Sequence, residues 1–187
     1  PIAPGRNLQV VIDSVLDGDL SHAIGVLTSL EGAFAAFLWD SLLGRLVVIN
    51  DFAGLYPIYL RRSPGSLSIA PTIAELSDGT PDPSGWGAFV GFGNFVGERT
   101  TAAGVTRLPP ATILEYEPAA DRFTTRAYWE WPAEKPVSLD AIDTGGIIDA
   151  IASSLAAYEP YGGQGTLMLS GGFESRLLAA LITRTGG

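Results

Sequence analysis

Cysteine is missing from this chain of 187 residues, and histidine and methionine occur once each. Without cysteine the chain has no disulfide bond, no thiolate metal ligand and no cysteine nucleophile. The single histidine, His22, lies in a short polar segment where no acid or nucleophile stands at a useful spacing. We therefore interpret His22 as a solvated residue and not as a catalytic base.

Basic residues are also scarce, with 11 Lys and Arg against 20 Asp and Glu and a net charge of −9. The basic residues form no cluster, so the footprint of a nucleic-acid-binding surface is missing. No apolar run approaches the roughly 18 residues that a membrane span needs. These absences predict no nucleic-acid partner, no membrane partner and, by default, a cytoplasmic location.

Neither end of the sequence has the features of a natural terminus. Position 1 is Pro1 instead of methionine, and no basic-then-apolar secretory signal follows it. Gly187 comes almost directly after a predicted helix. We therefore expect the chain to be a fragment, whose 47% hydrophobic composition reflects surface that a missing part covers.

The first two thirds of the chain predict an α+β architecture. Apolar residues at helical spacing predict helices over residues 8–16 and 20–27. Short apolar runs between turn residues predict three antiparallel hairpins: 32–40 with 45–51, 57–61 with 66–70, and 112–116 with 122–126. Both strands of the first hairpin are apolar on both faces, so we expect both faces to be covered. Short helices are predicted over 71–76 and 83–91, and Trp86, Phe89 and Phe92 at helical spacing are predicted to be core residues.

The pattern changes after Trp131. Residues 132–137 contain two prolines and predict a linker. Ser138 is predicted to cap a helix of about twenty residues that ends near Tyr158. The run 166–169 predicts a buried strand, and residues 176–184 predict a helix. This order is typical of the beginning of an α/β domain over 138–187.

The turn between that last strand and helix has the sequence Ser-Gly-Gly-Phe-Glu-Ser, at positions 170–175. Glycines let the backbone approach a ligand closely, and a helix N-terminus presents N–H groups and partial positive charge. The pattern favours a phosphate site. The alternative is a turn that binds nothing, in which Ser175 only caps the helix.

A second motif, Asp51-x-x-Gly54-x-x-Pro57, also has two interpretations. It could line a ligand pocket or a domain interface. The structural alternative is a turn in which the aspartate accepts backbone N–H groups, the glycine takes a left-handed conformation and the proline stiffens the exit. We favour the structural interpretation.

Four segments in order resemble the asparagine synthetase family. They are Leu30-Glu31-Gly32-Ala33-Phe34-Ala35 with Trp39-Asp40, Asp51-Phe52-Ala53-Gly54-Leu55-Tyr56-Pro57-Ile58-Tyr59, Gly104-Val105-Thr106-Arg107-Leu108-Pro109-Pro110 with Tyr128-Trp129, and the turn at 169–175. The last of these is similar to the family's pyrophosphate loop, Ser-Gly-Gly-x-Asp-Ser. Together they cover nearly the whole chain.

The resemblance implies a class II glutamine amidotransferase-like domain over 1–131, with its first half missing, and the start of an ATP-pyrophosphatase domain over 138–187. It implies an ATP-dependent, amide-forming ligase of asparagine biosynthesis that activates a small carboxylate as an acyl-adenylate and releases pyrophosphate. ATP and Mg²⁺ are the implied cofactors, with Glu174 as the metal ligand. The implied nucleotide-binding residues are Leu169, Ser170, Gly171, Gly172, Phe173, Glu174 and Ser175. A homo-oligomer, or a complementing chain that carries the missing parts, is the partner that this reading leaves open.

The chain also departs from the family pattern. Pro1 stands where the family has its cysteine nucleophile, Asn50 stands where it has arginine, and Glu174 replaces the aspartate of the loop. No glutaminase activity is therefore expected from this chain. Two alternatives stay open: a β-lactam synthetase-like or peptide-cyclising ligase that uses a substrate amine, and a non-catalytic remnant or assembly domain.

Overall fold

The structure, a computed structural model, describes residues 8–131, 138–156 and 166–185. The chain divides into two compact units, one containing Val11–Trp131 and the other containing Leu8–Val10 and the described residues after position 137. The first unit has the predicted α+β class, with antiparallel sheets and helices. The assignment of 1–131 and 138–187 to two family domains stays a prediction.

The described helices and strands of the first unit follow the predicted order, except for a short strand at Val105–Arg107 that was not predicted. Helix α1 (Leu8–Leu16) has residues in both units, and the first unit also contains the helices α2 (Leu20–Thr28), α3 (Ile73–Leu76) and α4 (Pro83–Phe92). Its strands are β1 (Ala35–Asp40), β2 (Arg45–Asn50), β3 (Tyr59–Ser63), β4 (Ser66–Ala70), β5 (Val105–Arg107), β6 (Thr112–Glu117) and β7 (Arg122–Ala127). The second unit contains α5 (Thr144–Ala156) and α6 (Phe173–Thr185). Among the residues described, no helix is long and apolar enough to span a bilayer.

Two antiparallel sheets form the first unit, with strand orders β1-β2-β6-β7 and β4-β3-β5. The central strands β2 and β6 pair in a register that places Val48 opposite Leu114 and Ile49 opposite Ile113. Because successive side chains of a strand point to opposite faces, these strands supply two separate hydrophobic clusters. One contains Val48, Ile58, Leu60, Leu108, Leu114 and Tyr116, and the other contains Leu27, Val47, Ile49 and Ile113.

The prediction that both faces of the first hairpin are covered is right for β2 and wrong for β1. Val47, Val48 and Ile49 of β2 are completely buried. In β1, Phe37 and Trp39 are 54% and 60% exposed. The difference follows from the strand order, because β1 is an edge strand with one neighbour whereas β2 has two.

Helix α4 begins after Asp82, whose carboxylate accepts the N–H groups of Ser84 and Gly85 at 2.9 and 3.0 Å. The predicted core role of its aromatic residues is wrong. Trp86, Phe89 and Phe92 are 48%, 41% and 78% exposed. The helix instead buries Gly85, which lies against the backbone of Thr100. A helical period of large apolar residues therefore faces outward here, because close backbone packing takes place on another face.

Helix α5 begins at Thr144, so the predicted cap at Ser138 is wrong. Ser138 precedes a short 3₁₀ turn, Leu139–Ala141, and its carbonyl accepts the N–H group of Ala141. Asp143 takes the capping role, because its carboxylate accepts the N–H group of Gly146 at 2.9 Å. The predicted helix end at Tyr158 lies outside the described residues.

The predicted buried strand over 166–169 is not formed. These residues have no strand pairing, and Met168 and Leu169 are 88% and 66% exposed. A strand needs a neighbour to accept and donate its hydrogen bonds, and no other strand occurs in the described part of the second unit. Helix α6 begins at Phe173, three positions before the predicted start at Arg176.

Candidate functional site

The predicted phosphate turn lies at the N-terminus of α6, a helix of 13 residues. Phe173, Glu174 and Ser175 form the first helical turn, and Leu169 to Gly172 form the loop before it. Phe173 is 70% exposed, whereas Ser175 is buried. The predicted loop is therefore too long by one helical turn, because the second half of the 170–175 motif belongs to α6.

The two serines hold the loop closed on itself. The hydroxyl oxygen of Ser175 accepts the backbone N–H of Ser170 at 3.2 Å and lies 3.1 Å from the Ser170 hydroxyl oxygen. The same hydroxyl can donate to the Ser170 carbonyl oxygen, 3.0 Å from its oxygen, or to that of Gly172 at 3.3 Å. The Ser170 hydroxyl oxygen in turn accepts the N–H of Gly172 at 3.1 Å. The resemblance implies that both serines bind the nucleotide. In the structure, their hydroxyls bond to the loop itself and fix its backbone.

The backbone N–H groups, unlike the two serine hydroxyls, are available as hydrogen-bond donors to a ligand. The first N–H groups of an α-helix have no acceptor within the helix, which applies here to Phe173 and Glu174. The N–H of Gly171 has no acceptor within the described structure, and Gly171 is exposed. Partial positive charge accumulates at the same helix end. The turn therefore offers three N–H donors for an anion.

The two glycines of the loop differ in the space around them and not in the sign of their φ angles. Gly171 and Gly172 are not among the residues with a positive φ angle. A Cβ atom at Gly172 would lie 2.9 Å from a Glu174 carboxylate oxygen and 3.1 Å from the Ser170 hydroxyl oxygen. A Cβ atom at Gly171 would meet nothing within 4 Å. A Cβ atom at Gly172 would thus meet only the ends of two side chains, one of which is the flexible, exposed Glu174.

Charges of both signs flank the turn. The exposed Glu174 carboxylate lies close to Gly172, and the Arg176 side chain donates from Nε to the Gly172 carbonyl oxygen at 3.3 Å. The described ranges contain no group of three or more Asp, Glu, His or Cys side chains that could hold a metal ion. A single carboxylate is enough for Mg²⁺ when phosphate oxygens complete the coordination. The residues fit a cation that arrives with a phosphate, and do not form a prebuilt metal centre.

The Asp51 motif folds as the predicted turn. Asp51 is completely buried, and its carboxylate accepts the N–H groups of Ala53, Leu55 and Tyr56 at 3.2, 2.8 and 3.0 Å. Gly54 has a left-handed φ angle of 63°. The structural interpretation is confirmed. The buried charge also acts on a neighbour, since burial and the Asp51 carboxylate raise the pKa of Tyr128 to about 12.

Asn50, which the sequence indicated only as a departure from the family pattern, is a buried polar residue. Its amide nitrogen donates to the Pro109 carbonyl oxygen at 2.7 Å, and its amide oxygen accepts the N–H of Thr112 at 2.8 Å. The sequence signal for this role is a polar asparagine at the end of an otherwise apolar strand. Asn50 therefore ties β2 to the start of β6.

The comparisons with known proteins agree with the family resemblance at a coarse level. No protein-family model matches the chain. Among curated proteins, asparagine synthetase [glutamine-hydrolyzing] 1 of Saccharomyces cerevisiae is 28% identical over 169 residues, which cover 88% of this chain. The chain spans 25% of the length of the yeast protein. The chain is therefore similar to one quarter of an asparagine synthetase.

Proposed function

We propose that the chain is part of an asparagine synthetase-like, ATP-dependent, amide-forming ligase. Similarity to the yeast protein over 88% of the chain supports this proposal. The observation that carries it is the 170–175 turn, which holds its own hydroxyls inward and leaves backbone N–H groups free at a helix N-terminus. Such a helix end favours phosphate oxygens.

The proposed reaction has two steps. A carboxylate oxygen of the substrate attacks the α-phosphorus of ATP, the bond to the bridging oxygen breaks, and pyrophosphate leaves. An amine or ammonia then attacks the acyl carbon of the acyl-adenylate, which forms the amide and releases AMP. The first step builds negative charge on the pyrophosphate group. Fixed N–H donors at Gly171, Phe173 and Glu174 would stabilise that charge without reorganising during the reaction.

Glu174 would hold Mg²⁺ beside these N–H groups. The exposed carboxylate lies next to Gly172, on the loop that would receive the phosphates. When bound, the ion would neutralise phosphate charge and so lower the barrier to pyrophosphate departure. Without a cation, the Glu174 carboxylate would repel the same phosphates. The proposal therefore couples phosphate binding at this turn to magnesium.

ATP–pyrophosphate exchange in the full-length protein tests this coupling. We expect Glu174→Gln to lower the magnesium-dependent exchange rate by at least about tenfold, because the carboxylate ligand is lost. Glu174→Asp is the matched control, since it keeps the charge, and should retain most of the exchange. An exchange rate in the Gln variant equal to the wild-type rate, with the same magnesium dependence, would contradict the role of Glu174. No carboxylate-dependent exchange in the wild-type protein would favour a non-catalytic remnant.

Glutamine should not be hydrolysed by this chain. The family mechanism needs a cysteine nucleophile, and the sequence contains no cysteine. Incubation of the 187-residue chain with glutamine should release no glutamate above a protein-free blank, as measured with a coupled glutamate dehydrogenase assay. Release proportional to the chain concentration would overturn this prediction.

A second candidate is a ligase whose amine comes from its own substrate. β-Lactam synthetase-like and peptide-cyclising ligases are of this type. Both candidates predict ATP–pyrophosphate exchange with a carboxylate substrate. They differ in the second step, because a substrate-amine ligase forms amide without added ammonia. Product formation with and without ammonium, followed by mass spectrometry, separates them.

A further inference from the structure

A pocket in the first unit has a chemistry that the proposed ligase function does not use. Its volume is about 340 Å³, and we call it the Trp129 pocket. It lies where the end of α2 meets the segment that follows β7. Its lining residues are Thr28, Ser29, Leu30, Glu31, Phe52, Tyr128 and Trp129. This volume is at the small end of the range for ligand pockets and suits a ligand of a few heavy atoms.

Aromatic rings form one side of the Trp129 pocket. The Phe52 and Trp129 ring centroids are 5.6 Å apart, with planes inclined by 70°. Trp131 packs against Trp129 at 4.9 Å and 71°, and so restrains the orientation of the Trp129 ring. Phe52 and Trp129 are nevertheless 40% and 38% exposed. Because the two rings are partly exposed and steeply inclined to each other, their π faces are accessible, and such faces attract cations.

The hydroxyl groups of the residues that line the pocket already donate hydrogen bonds to backbone carbonyl oxygens. Thr28 donates to the Ile24 carbonyl oxygen at 2.9 Å, and Ser29 donates to that of Val26 at 2.7 Å. Tyr128 donates to the Asn50 carbonyl oxygen at 2.7 Å. Each hydroxyl oxygen keeps lone pairs that can still accept. The hydroxyls can therefore receive hydrogen bonds from a ligand but have none to give.

The charge of the pocket has the same sign preference. Glu31 is exposed, and no ion pair joins it to another described residue. Among the described residues, no Lys, Arg or His lines the pocket. A carboxylate, hydroxyl oxygens that only accept and aromatic faces all favour a cation that carries N–H donors. The Glu31 carboxylate would repel an anion, and a neutral group would gain no charge–charge contact with it.

We propose that the Trp129 pocket binds a small protonated primary alkylamine. Its ammonium group donates to the Glu31 carboxylate and the hydroxyl oxygens, and its alkyl chain packs against Phe52 and Trp129. This binding is independent of the nucleotide proposal, because every described residue that lines the pocket belongs to Val11–Trp131.

Nuclear magnetic resonance of the indole N–H groups tests this proposal in the 187-residue chain. The sequence contains four tryptophans, Trp39, Trp86, Trp129 and Trp131, which single Trp→Phe variants would assign. At neutral pH, where primary alkylamines are protonated, n-butylamine at millimolar concentration should shift the Trp129 signal. The Trp39 and Trp86 signals should stay in place. Butan-1-ol, a neutral probe of the same length, should cause no saturable shift.

Variants identify the groups that recognise the amine. Glu31→Gln should weaken n-butylamine binding by at least about fivefold, since one charge–charge contact near 4 Å is lost even in a water-like dielectric. Glu75→Gln is the matched control, because Glu75 is an exposed carboxylate away from the pocket, and binding should change less than twofold. No saturable Trp129 shift, or an equal response to butan-1-ol, would overturn the proposal. So would equal affinities of the Glu31 variant and the wild-type chain, with both amide spectra showing a folded protein.

Discussion

Replacing Asp51 with alanine is expected to lower the free energy of unfolding of the first unit by about 4 kcal/mol or more. The carboxylate is completely buried and accepts three backbone N–H groups within 3.2 Å. A fourth, from Phe34, lies at 3.4 Å and connects the turn to the start of β1. Each hydrogen bond to a charged acceptor contributes about 1.5–3 kcal/mol, and alanine leaves buried donors without partners.

Urea unfolding followed by tryptophan fluorescence measures this effect. All four tryptophans lie within Val11–Trp131, so the signal reports the first unit. Asp51→Asn keeps the shape but replaces one acceptor oxygen with a donor, and should fall between alanine and wild type. Asp17→Asn, at an exposed aspartate, should change stability by less than about 0.5 kcal/mol. If the alanine variant at position 51 unfolds at the wild-type urea concentration, Asp51 does not organise this turn.

A pair of glycine substitutions in α4 should have effects of opposite sign. A Cβ atom at Gly85 would lie 1.8 Å from the Thr100 carbonyl oxygen and 2.7 Å from its carbonyl carbon. These atoms belong to the backbone of a fully buried residue, so they cannot rotate away. Relief requires displacement of the helix or the 100–102 segment, and we expect Gly85→Ala to cost about 3 kcal/mol.

Gly87→Ala is the control in the same helix. A Cβ atom there meets nothing within 4 Å, and the residue is exposed. Alanine restricts the unfolded chain and favours the helix, so this variant should gain about 0.5–1 kcal/mol. Thermal unfolding followed by circular dichroism measures both variants. A Gly85 variant as stable as the Gly87 variant would mean that α4 does not pack closely against Thr100.

The hairpins were predictable from sequence because their information is local. Alternating apolar residues and turn glycines defined the strands, and Gly44 and Gly65 have the positive φ angles that such turns favour. The Asp51 turn was predictable for the same reason, since its donors lie within five residues of the acceptor. Which strand occupies an edge was not predictable. That property depends on pairings between distant segments, such as β2 with β6.

The candidate site shows the same division between local and distant information. The motif at 170–175 and the segments on either side of it predicted a strand-to-helix turn with an anion-binding helix end. It did not indicate that Ser170 and Ser175 would bond to each other, nor that α6 would begin at Phe173. The predicted strand before the turn depended on partner strands, and none occurs in the described part of the second unit. Local motifs therefore identified the turn, while its surroundings required tertiary contacts.

Titration of the ¹⁵N-labelled 187-residue chain with magnesium pyrophosphate tests the central claim most directly. We expect saturable shifts of the Gly171, Phe173 and Glu174 amide signals at millimolar ligand, because these N–H groups are the proposed donors. The exposed Gly79, whose N–H donates to the Ser77 hydroxyl oxygen, should stay unchanged. Amide signals at 171–174 that do not move, or that move no more than the Gly79 signal, would contradict a phosphate site at this turn.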